Sequence, residues 1–220
     1  MEAALPGSET VLIGLVVAVV LVPTVTWRVA QHFQVMAHEG MHGVIGSLSG
    51  RTVEWIELKS DAGGATRVVP TAGPGFLLAA FTGYLGPSAF GVGAARLIQF
   101  GHFVAVLWLV MLMLGLLLVM LKPSFGYVTV PLAGLGIFLV LRHASHTAEI
   151  LSAYAITWFL LLSGVRIVIE RGVQASDADL LRQRTSVPRL IWFALWLAGT
   201  LAAVVVGARW MLHPVIRPPS

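Results

Sequence analysis

The sequence contains no cysteine and is short of charged residues. Without cysteine there are no disulfides and no thiolate ligands, so a bound metal ion has to be held by His, Asp or Glu. Only 11% of the 220 residues are charged and 57% are hydrophobic, whereas a typical soluble domain carries about 25% charged residues. The shortage of charge argues against an ordinary soluble domain and predicts an integral membrane protein.

The basic residues do not form a nucleic-acid-binding surface. Lys and Arg total 14 against 10 Asp and Glu, but they are scattered between apolar runs, where such residues set membrane topology. We therefore expect the lipid bilayer, and no nucleic acid, as a partner. Glu2 and Glu9 precede the first apolar run and no basic stretch accompanies them, so we expect no cleavable signal peptide.

Several apolar runs approach the length of about 20 residues with which a helix crosses a bilayer. We predict an all-α integral membrane protein with about seven transmembrane helices, forming a single polytopic domain over residues 1–220. Pro23 is expected to kink the first span, and Gly86-Pro87 to break or kink the third. The predicted spans are residues 10–27, 32–48, 73–95, 102–121, 127–141, 147–168 and 190–212.

Two stretches between these runs have a different character. Residues 51–70 alternate and are rich in β-forming residues on either side of Asp61-Ala-Gly-Gly64, which predicts a small β-hairpin after the second span. This hairpin is either a solvent-side loop or an edge strand that pairs with an extended substrate. Residues 169–189 are predicted as a polar loop, in which Ser176 suits the N-cap of a short helix with aspartates in its first turn.

The second apolar run carries the pattern H-E-x-x-H as His38-Glu39-Gly40-Met41-His42. On a helix, positions i and i+4 share a face, so His38 and His42 can bind one metal ion. Glu39 can then take a proton from water at the open coordination position, as the general base of a metalloprotease does. Ionisable groups inside a bilayer are costly and usually functional, which favours this interpretation over histidines that only hydrogen bond within a helix bundle.

A catalytic zinc site has three protein ligands, so the two histidines need a partner. The aspartates of the polar loop reach the metal only if their segment folds back into the mouth of the bundle. His-plus-carboxylate sites suit several first-row metals, of which we expect zinc. The spacing alone leaves open the third ligand, for which the candidates are Asp177, Asp179, Glu149, His146 and His143.

The distribution of basic residues predicts the orientation in the membrane. With a cytoplasmic N-terminus, the loops at residues 51–72, 122 and 166–189 face the cytosol and hold most of the Lys and Arg residues. The hairpin and the Asp177/Asp179 segment then lie on the same side. The opposite side holds the smaller set, Arg28, Arg96, Arg142, Arg209 and Arg217.

Several features together resemble a known family. These are the membrane-embedded H-E-x-x-H, the hairpin-like insert after it, the span with Gly83-Tyr-x-Gly-Pro87, and Ser176-Asp177-Ala-Asp179-Leu followed by Val187-Pro188 and a Trp-rich final span. The sequence is similar to the site-two-protease class of intramembrane zinc metallopeptidases, and most closely to its compact bacterial, largely actinobacterial, peptidase-like branch. The PDZ insert of some relatives is absent.

The resemblance implies that His38 and His42 bind zinc and that Glu39 activates water. Better-known relatives take the third ligand from an aspartate in an L-D-G motif on a later span, and this sequence lacks that motif. We expect Asp177 in that role, with Asp179 second, because no other aspartate follows Asp61.

We therefore expect a zinc metalloendopeptidase that hydrolyses a transmembrane or juxtamembrane peptide bond of a membrane-protein substrate. Its expected location is the bacterial inner (plasma) membrane, with multiple spans and a cytoplasmic N-terminus. Two alternatives stay open. One is a non-catalytic metal-binding membrane protein, and the other is a small transporter in which His38, Glu39 and His42 relay protons or ions.

Overall fold

The computed structural model describes residues 5, 7–21, 23–172 and 176–214, so Glu2 and Arg217 lie outside the described residues. As predicted, the described chain is mainly helical with one small two-stranded sheet. Its elements in order are α1 (Gly7–Leu21), α2 (Thr24–Leu48), β1 (Thr52–Leu58), β2 (Gly64–Val69), α3 (Pro74–Thr82), α4 (Gly86–Gln99), α5 (Phe103–Met120), α6 (Gly126–His143), α7 (His146–Arg171), α8 (Ser176–Thr185) and α9 (Arg189–Leu212).

The predicted count of seven spans is not confirmed. Within the described residues, four helices are long and apolar enough to cross a membrane, namely α5, α6, α7 and α9. The pairs α1 with α2 and α3 with α4 qualify only together, bent by 106° and 73°, which gives up to six spans if each pair is one span. The sequence suggested separate first and second spans because it contains two apolar runs there, but α2 carries too many polar side chains to qualify alone.

Prolines mark both of these breaks. The first span does not continue through a kink to residue 27, because α1 ends at Leu21 and Pro23 is the N-cap of α2. Gly86 and Pro87 open α4, as the predicted break in the third run requires. Proline suits the start of a helix because the first N–H groups need no partner within the helix.

The predicted hairpin is present and packs against α2. Its strands pair antiparallel from Thr52 opposite Val69 to Leu58 opposite Gly64, with an irregularity between Val53 and Trp55. Ile56 and Leu58 are buried in one cluster with Val35 and Met36 of α2. At the outer edge of β1, the Lys122 N–H donates to the Ile56 carbonyl at 2.9 Å. The opposite strand, β2, lies beside the motif-bearing helix.

The polar segment at residues 169–189 contains the predicted short helix at Ser176, but the preceding helix extends further into it than predicted. The helix α7 continues to Arg171, and α8 forms within the segment. Ala178 and Leu181 of α8 are buried in a cluster with Tyr84 and Trp196. Burial of these two apolar side chains folds the aspartate-bearing segment against the helices that surround the H-E-x-x-H motif.

Candidate metal centre

The two histidines of the motif lie side by side on α2, as the i, i+4 spacing predicts. Their Nε2 atoms are 3.1 Å apart, and their rings meet edge to face with centroids separated by 4.7 Å. His42 is buried and His38 is partly buried. One face of α2 therefore presents two imidazole nitrogens to the same point.

Asp177 of α8 completes a three-residue group. Its Oδ2 atom lies 3.4 Å from His38 Nε2 and 3.4 Å from His42 Nε2. Across the described chain, no other set of three or more His, Cys, Asp or Glu residues brings its ligand atoms this close together. The structure thus unites two predicted ligands with the first of the five candidates for the third.

The spacing of these atoms fits a divalent metal ion. Zinc ligands in proteins lie about 2.0–2.2 Å from the metal in a tetrahedral arrangement, so that two ligand atoms are about 3.3 Å apart. The three separations of 3.1, 3.4 and 3.4 Å agree with this value. Two imidazoles and one carboxylate are also a ligand set of catalytic zinc sites, in which the fourth position is left open.

A backbone carbonyl fixes the orientation of His42. The Nδ1 atom of His42 lies 2.8 Å from the Ala79 carbonyl oxygen of α3. A carbonyl only accepts hydrogen bonds, so Nδ1 carries the proton and the lone pair of Nε2 is free for a metal. The ring also fills the space where a Cβ at position 83 would lie, which explains why Gly83 stands there.

An aromatic stack supports His38. The Tyr84 ring meets the His38 ring edge to face at 4.7 Å and stacks on Trp196 of α9 at 4.6 Å. Trp196 is itself held by its indole N–H, which donates to the Phe81 carbonyl at 2.8 Å. The helices α3 and α9 thereby support the ligand face of α2.

Glu39 lies beside the group and is held by the hairpin. Its side chain is buried, and its Oε2 atom accepts a hydrogen bond from the Thr66 hydroxyl of β2 at 2.7 Å. A Cβ at position 64 would lie 2.6 Å from Cγ of Glu39. Gly64 at the start of β2 therefore leaves the space that the Glu39 side chain occupies.

A cavity of about 560 Å³ joins these residues. One wall is the polar face of α2, and the other walls come from β2, α3, α7 and α8. The lining combines the three grouped residues with Gln34, Thr66 and Arg171 and with apolar side chains such as Phe76 and Ile167. The volume of the cavity lies within the range of about 300–1,000 Å³ that ligand-binding clefts in proteins have.

The neighbouring histidines favour the carboxylate form of Asp177. Burial by itself raises the pKa of a carboxyl group, but the adjacent rings of His42 and His38 outweigh burial and hold the pKa of Asp177 below its usual range. A carboxylate is the form that binds a metal.

None of the other candidates for the third ligand belongs to this group. Asp179 forms an ion pair with Arg189 at the start of α9. His146 and Glu149 contact each other at 3.0 Å in the first turn of α7, whose last residue, Arg171, lines the cavity. Along a helix of 26 residues the two ends of α7 are roughly 38 Å apart. His143, at the end of α6, is exposed.

Sequence reasoning did not single out three groups that the structure places at the site. The Ala79 carbonyl has no sequence signal at all, because any residue carries one. Thr66 lies in the predicted second strand, but its contact with Glu39 depends on how the hairpin docks on α2. Gln34 lies one helical turn before His38, and that spacing is a signal that the sequence does contain.

The fold and the site together describe a helical membrane protein of a particular kind. It has two histidines and a carboxylate that could bind one metal ion, and a buried glutamate beside them. The chain matches the family model described as Peptidase M50B-like over residues 11–207. It belongs to that family, the site-two-protease family, as its sequence features suggest. No curated protein and no solved structure matches the chain.

Proposed function

We propose that this protein is an intramembrane zinc metalloprotease that hydrolyses a transmembrane or juxtamembrane peptide bond of a membrane-protein substrate. The observation that carries the proposal is the grouping of His38 Nε2, His42 Nε2 and Asp177 Oδ2 at zinc-like spacing, with Glu39 next to them. Membership of a peptidase family supports the same activity.

In this proposal His38, His42 and Asp177 hold the zinc ion. When bound, zinc supplies Lewis-acid chemistry by polarising the substrate carbonyl and lowering the pKa of a water molecule toward about 7. The hydrogen bond from His42 Nδ1 to Ala79 and the Tyr84 ring against His38 keep both rings oriented for that task. Asp177 adds negative charge, which makes the ligand set less cationic than three histidines.

Glu39 is the proposed general base and acid. Its carboxylate takes a proton from the attacking water and then delivers it to the nitrogen of the leaving amine. The Thr66 hydroxyl donates to Oε2, which leaves Oε1 as the oxygen for proton transfer. The bond from Thr66 and the close approach of Gly64 restrict the rotation of the carboxylate.

The substrate segment is proposed to enter the cavity unwound. Residues Gly64, Ala65 and Thr66 of β2 line the cavity, whereas the outer edge of β1 is already bonded to the chain at Lys122. An extended substrate can therefore lie along β2, in the manner of strand addition. The proposed location is the bacterial inner membrane, with the N-terminus in the cytoplasm.

The experiment compares zinc content and proteolysis in detergent-purified protein. Fluorescein-labelled casein serves as the peptide-bond probe, and zinc is measured by mass spectrometry. We expect about one zinc per chain, lost in Asp177→Ala and retained in Glu39→Gln, with cleavage abolished in both. Asp179→Ala is the matched control for the neighbouring carboxylate and keeps its zinc.

The outcomes separate the proposed enzyme from its alternatives. No zinc in the wild-type protein, even after zinc is supplied, would overturn the catalytic proposal. Zinc without cleavage would point to a metal sensor. Proton or ion flux in liposomes that is lost in Glu39→Gln would point to a relay.

A further inference from the structure

We infer that Gln34 is a further substrate-binding residue, whose carboxamide hydrogen bonds the backbone of the substrate segment beside the scissile bond. This inference rests on the proposed peptidase function. It extends that function from the residues that carry out the chemistry to one that holds the polypeptide in position.

The position of Gln34 places it in line with the metal ligands. Gln34, His38 and His42 succeed one another at intervals of four residues, so they form a continuous row on one face of α2. All three line the same cavity. A segment that reaches His38 along this wall from the N-terminal side of α2 passes Gln34.

The amide nitrogen of Gln34 is buried without a partner among the described residues. Only 2% of the residue is exposed, and its Nε2 atom has no hydrogen-bond partner among the described residues. Buried polar groups are almost always paired, and an unpaired one calls for an explanation. An apolar side chain of the same length would avoid this cost, so a role in binding is the explanation that the cavity supports.

A neighbouring glutamine shows the contrast. Gln31 lies one turn earlier on the same helix, accepts a hydrogen bond from Arg171 at 3.3 Å and donates to the Arg28 carbonyl at 3.4 Å. Gln31 is not among the residues that line the cavity. One glutamine is thus satisfied within the protein, while the other is held at the cavity wall with unused hydrogen-bonding capacity.

The chemistry of a carboxamide matches a peptide group. It offers N–H donors and a carbonyl acceptor, as a peptide unit does. A transmembrane segment that unwinds for cleavage loses its own helical hydrogen bonds, and in an apolar surrounding each freed group needs a replacement. The Glu39 and Asp177 carboxylates only accept hydrogen bonds, so neither can bind a substrate carbonyl. Gln34 supplies a donor as well as an acceptor for a backbone of any sequence.

The test compares two metal-binding probes on zinc-loaded, detergent-purified protein by titration calorimetry. Acetohydroxamic acid reaches only the metal, whereas the peptide hydroxamate acetyl-Leu-Leu-NHOH adds backbone groups next to it. In Gln34→Met we expect unchanged affinity for acetohydroxamic acid. We expect the affinity for acetyl-Leu-Leu-NHOH to fall by about three- to tenfold, the value of one net hydrogen bond. Gln31→Met, the matched control, binds both probes like the wild type.

A melting curve distinguishes binding from a structural role. Replacing an unpaired buried polar group with an apolar one of similar shape is neutral or stabilising, so the melting temperature of Gln34→Met should stay level or rise. A clear fall would indicate that the amide holds the fold together and would overturn the inference. If the methionine variant does not fold with zinc, Gln34→Leu serves in the same comparison.

The failure of this inference and the failure of the proposed function look different. Wild-type affinity of Gln34→Met for acetyl-Leu-Leu-NHOH, or an equal loss for both probes, would overturn the role of Gln34 and leave the peptidase intact. A wild-type protein that binds zinc but neither probe would overturn the proposed function and this inference with it.

Discussion

At the scale of single residues, the site depends on two glycines, which have no side chain. Gly64 and Gly83 each leave a space that a neighbouring functional side chain fills, Glu39 in the first case and His42 in the second. A methyl group at either position would overlap with the functional side chain beside it. A substitution at Gly64 should therefore affect the proposed proton transfer, and a substitution at Gly83 the proposed metal binding.

We predict opposite defects for alanine at these two positions. Gly64→Ala moves the Glu39 carboxylate, so casein cleavage should fall by about 10²-fold or more while zinc is retained. Gly83→Ala displaces the His42 ring, and zinc affinity should drop by at least about tenfold. Zinc titration and a cleavage assay on both variants measure these effects. Loss of zinc in Gly64→Ala, or full retention in Gly83→Ala, would contradict the roles assigned to the two side chains.

The hydrogen bond from Thr66 to Glu39 makes a separate prediction. Thr66→Val keeps the shape of the side chain and removes the donor to the Glu39 carboxylate. A hydrogen bond to a charged group contributes about 1.5–3 kcal/mol, so kcat/KM should fall by about ten- to a hundredfold with zinc content unchanged. Thr129→Val is the control, because the Thr129 hydroxyl bonds the Phe125 carbonyl at the start of α6 and Thr129 does not line the cavity. Equal effects of the two valines would show that Thr66 does not act through Glu39.

At the scale of secondary-structure elements, α8 decides whether the metal centre is complete. It brings Asp177 to the histidines of α2, and it is anchored by the buried side chains of Ala178 and Leu181. Arg182, Gln183 and Arg184 of α8 are exposed, and Asp179 pairs with Arg189 at the start of α9. A short helix with so few apolar contacts depends strongly on each of them.

We therefore expect Leu181→Ala to weaken zinc binding without touching a ligand. Truncating a fully buried leucine costs about 2–5 kcal/mol, and here the loss falls on the packing that holds Asp177 in place. Zinc affinity should drop by tenfold or more, with a lower melting temperature. Leu190→Ala is the matched control, because Leu190 is 66% exposed. If both leucine variants bind zinc like the wild type, α8 is held by other contacts.

The elements differ in how far the sequence predicts them. The H-E-x-x-H row, the hairpin and the break at Gly86-Pro87 follow from local patterns, namely helical spacing, strand alternation and proline geometry. The short helix that begins at Ser176 was predicted from its capping pattern, but its packing against the site was not, and the sequence predicted a kink at Pro23 where one helix ends and the next begins. The apolar stripe of α8 is only two buried residues long, and a proline in an apolar run signals a kink or an end equally well. The choice of Asp177 over Asp179 needed tertiary packing.

At the scale of the whole molecule, the helix α7 connects two different ends of the bundle. Its C-terminal residue, Arg171, lines the cavity together with the hairpin and α8. Its N-terminal end, next to His143, lies roughly 38 Å away along the 26-residue helix, which is enough to cross a hydrocarbon core of about 30 Å. The hairpin turn and the loop after α6 thus belong to opposite ends of this helix. The distribution of basic residues predicts that the hairpin end faces the cytoplasm.

The absence of native cysteine makes this orientation directly measurable. Ser60 in the hairpin turn and His143 at the end of α6 are both exposed, so each can be replaced by cysteine without disturbing the core. In intact bacterial cells, a membrane-impermeant maleimide should label His143→Cys and leave Ser60→Cys unmodified until the membrane is opened. The cysteine-free parent controls for background. Labelling of Ser60→Cys alone in intact cells would reverse the orientation and place the mouth of the cavity on the outer side. Labelling of both would contradict a membrane boundary between the two ends of α7.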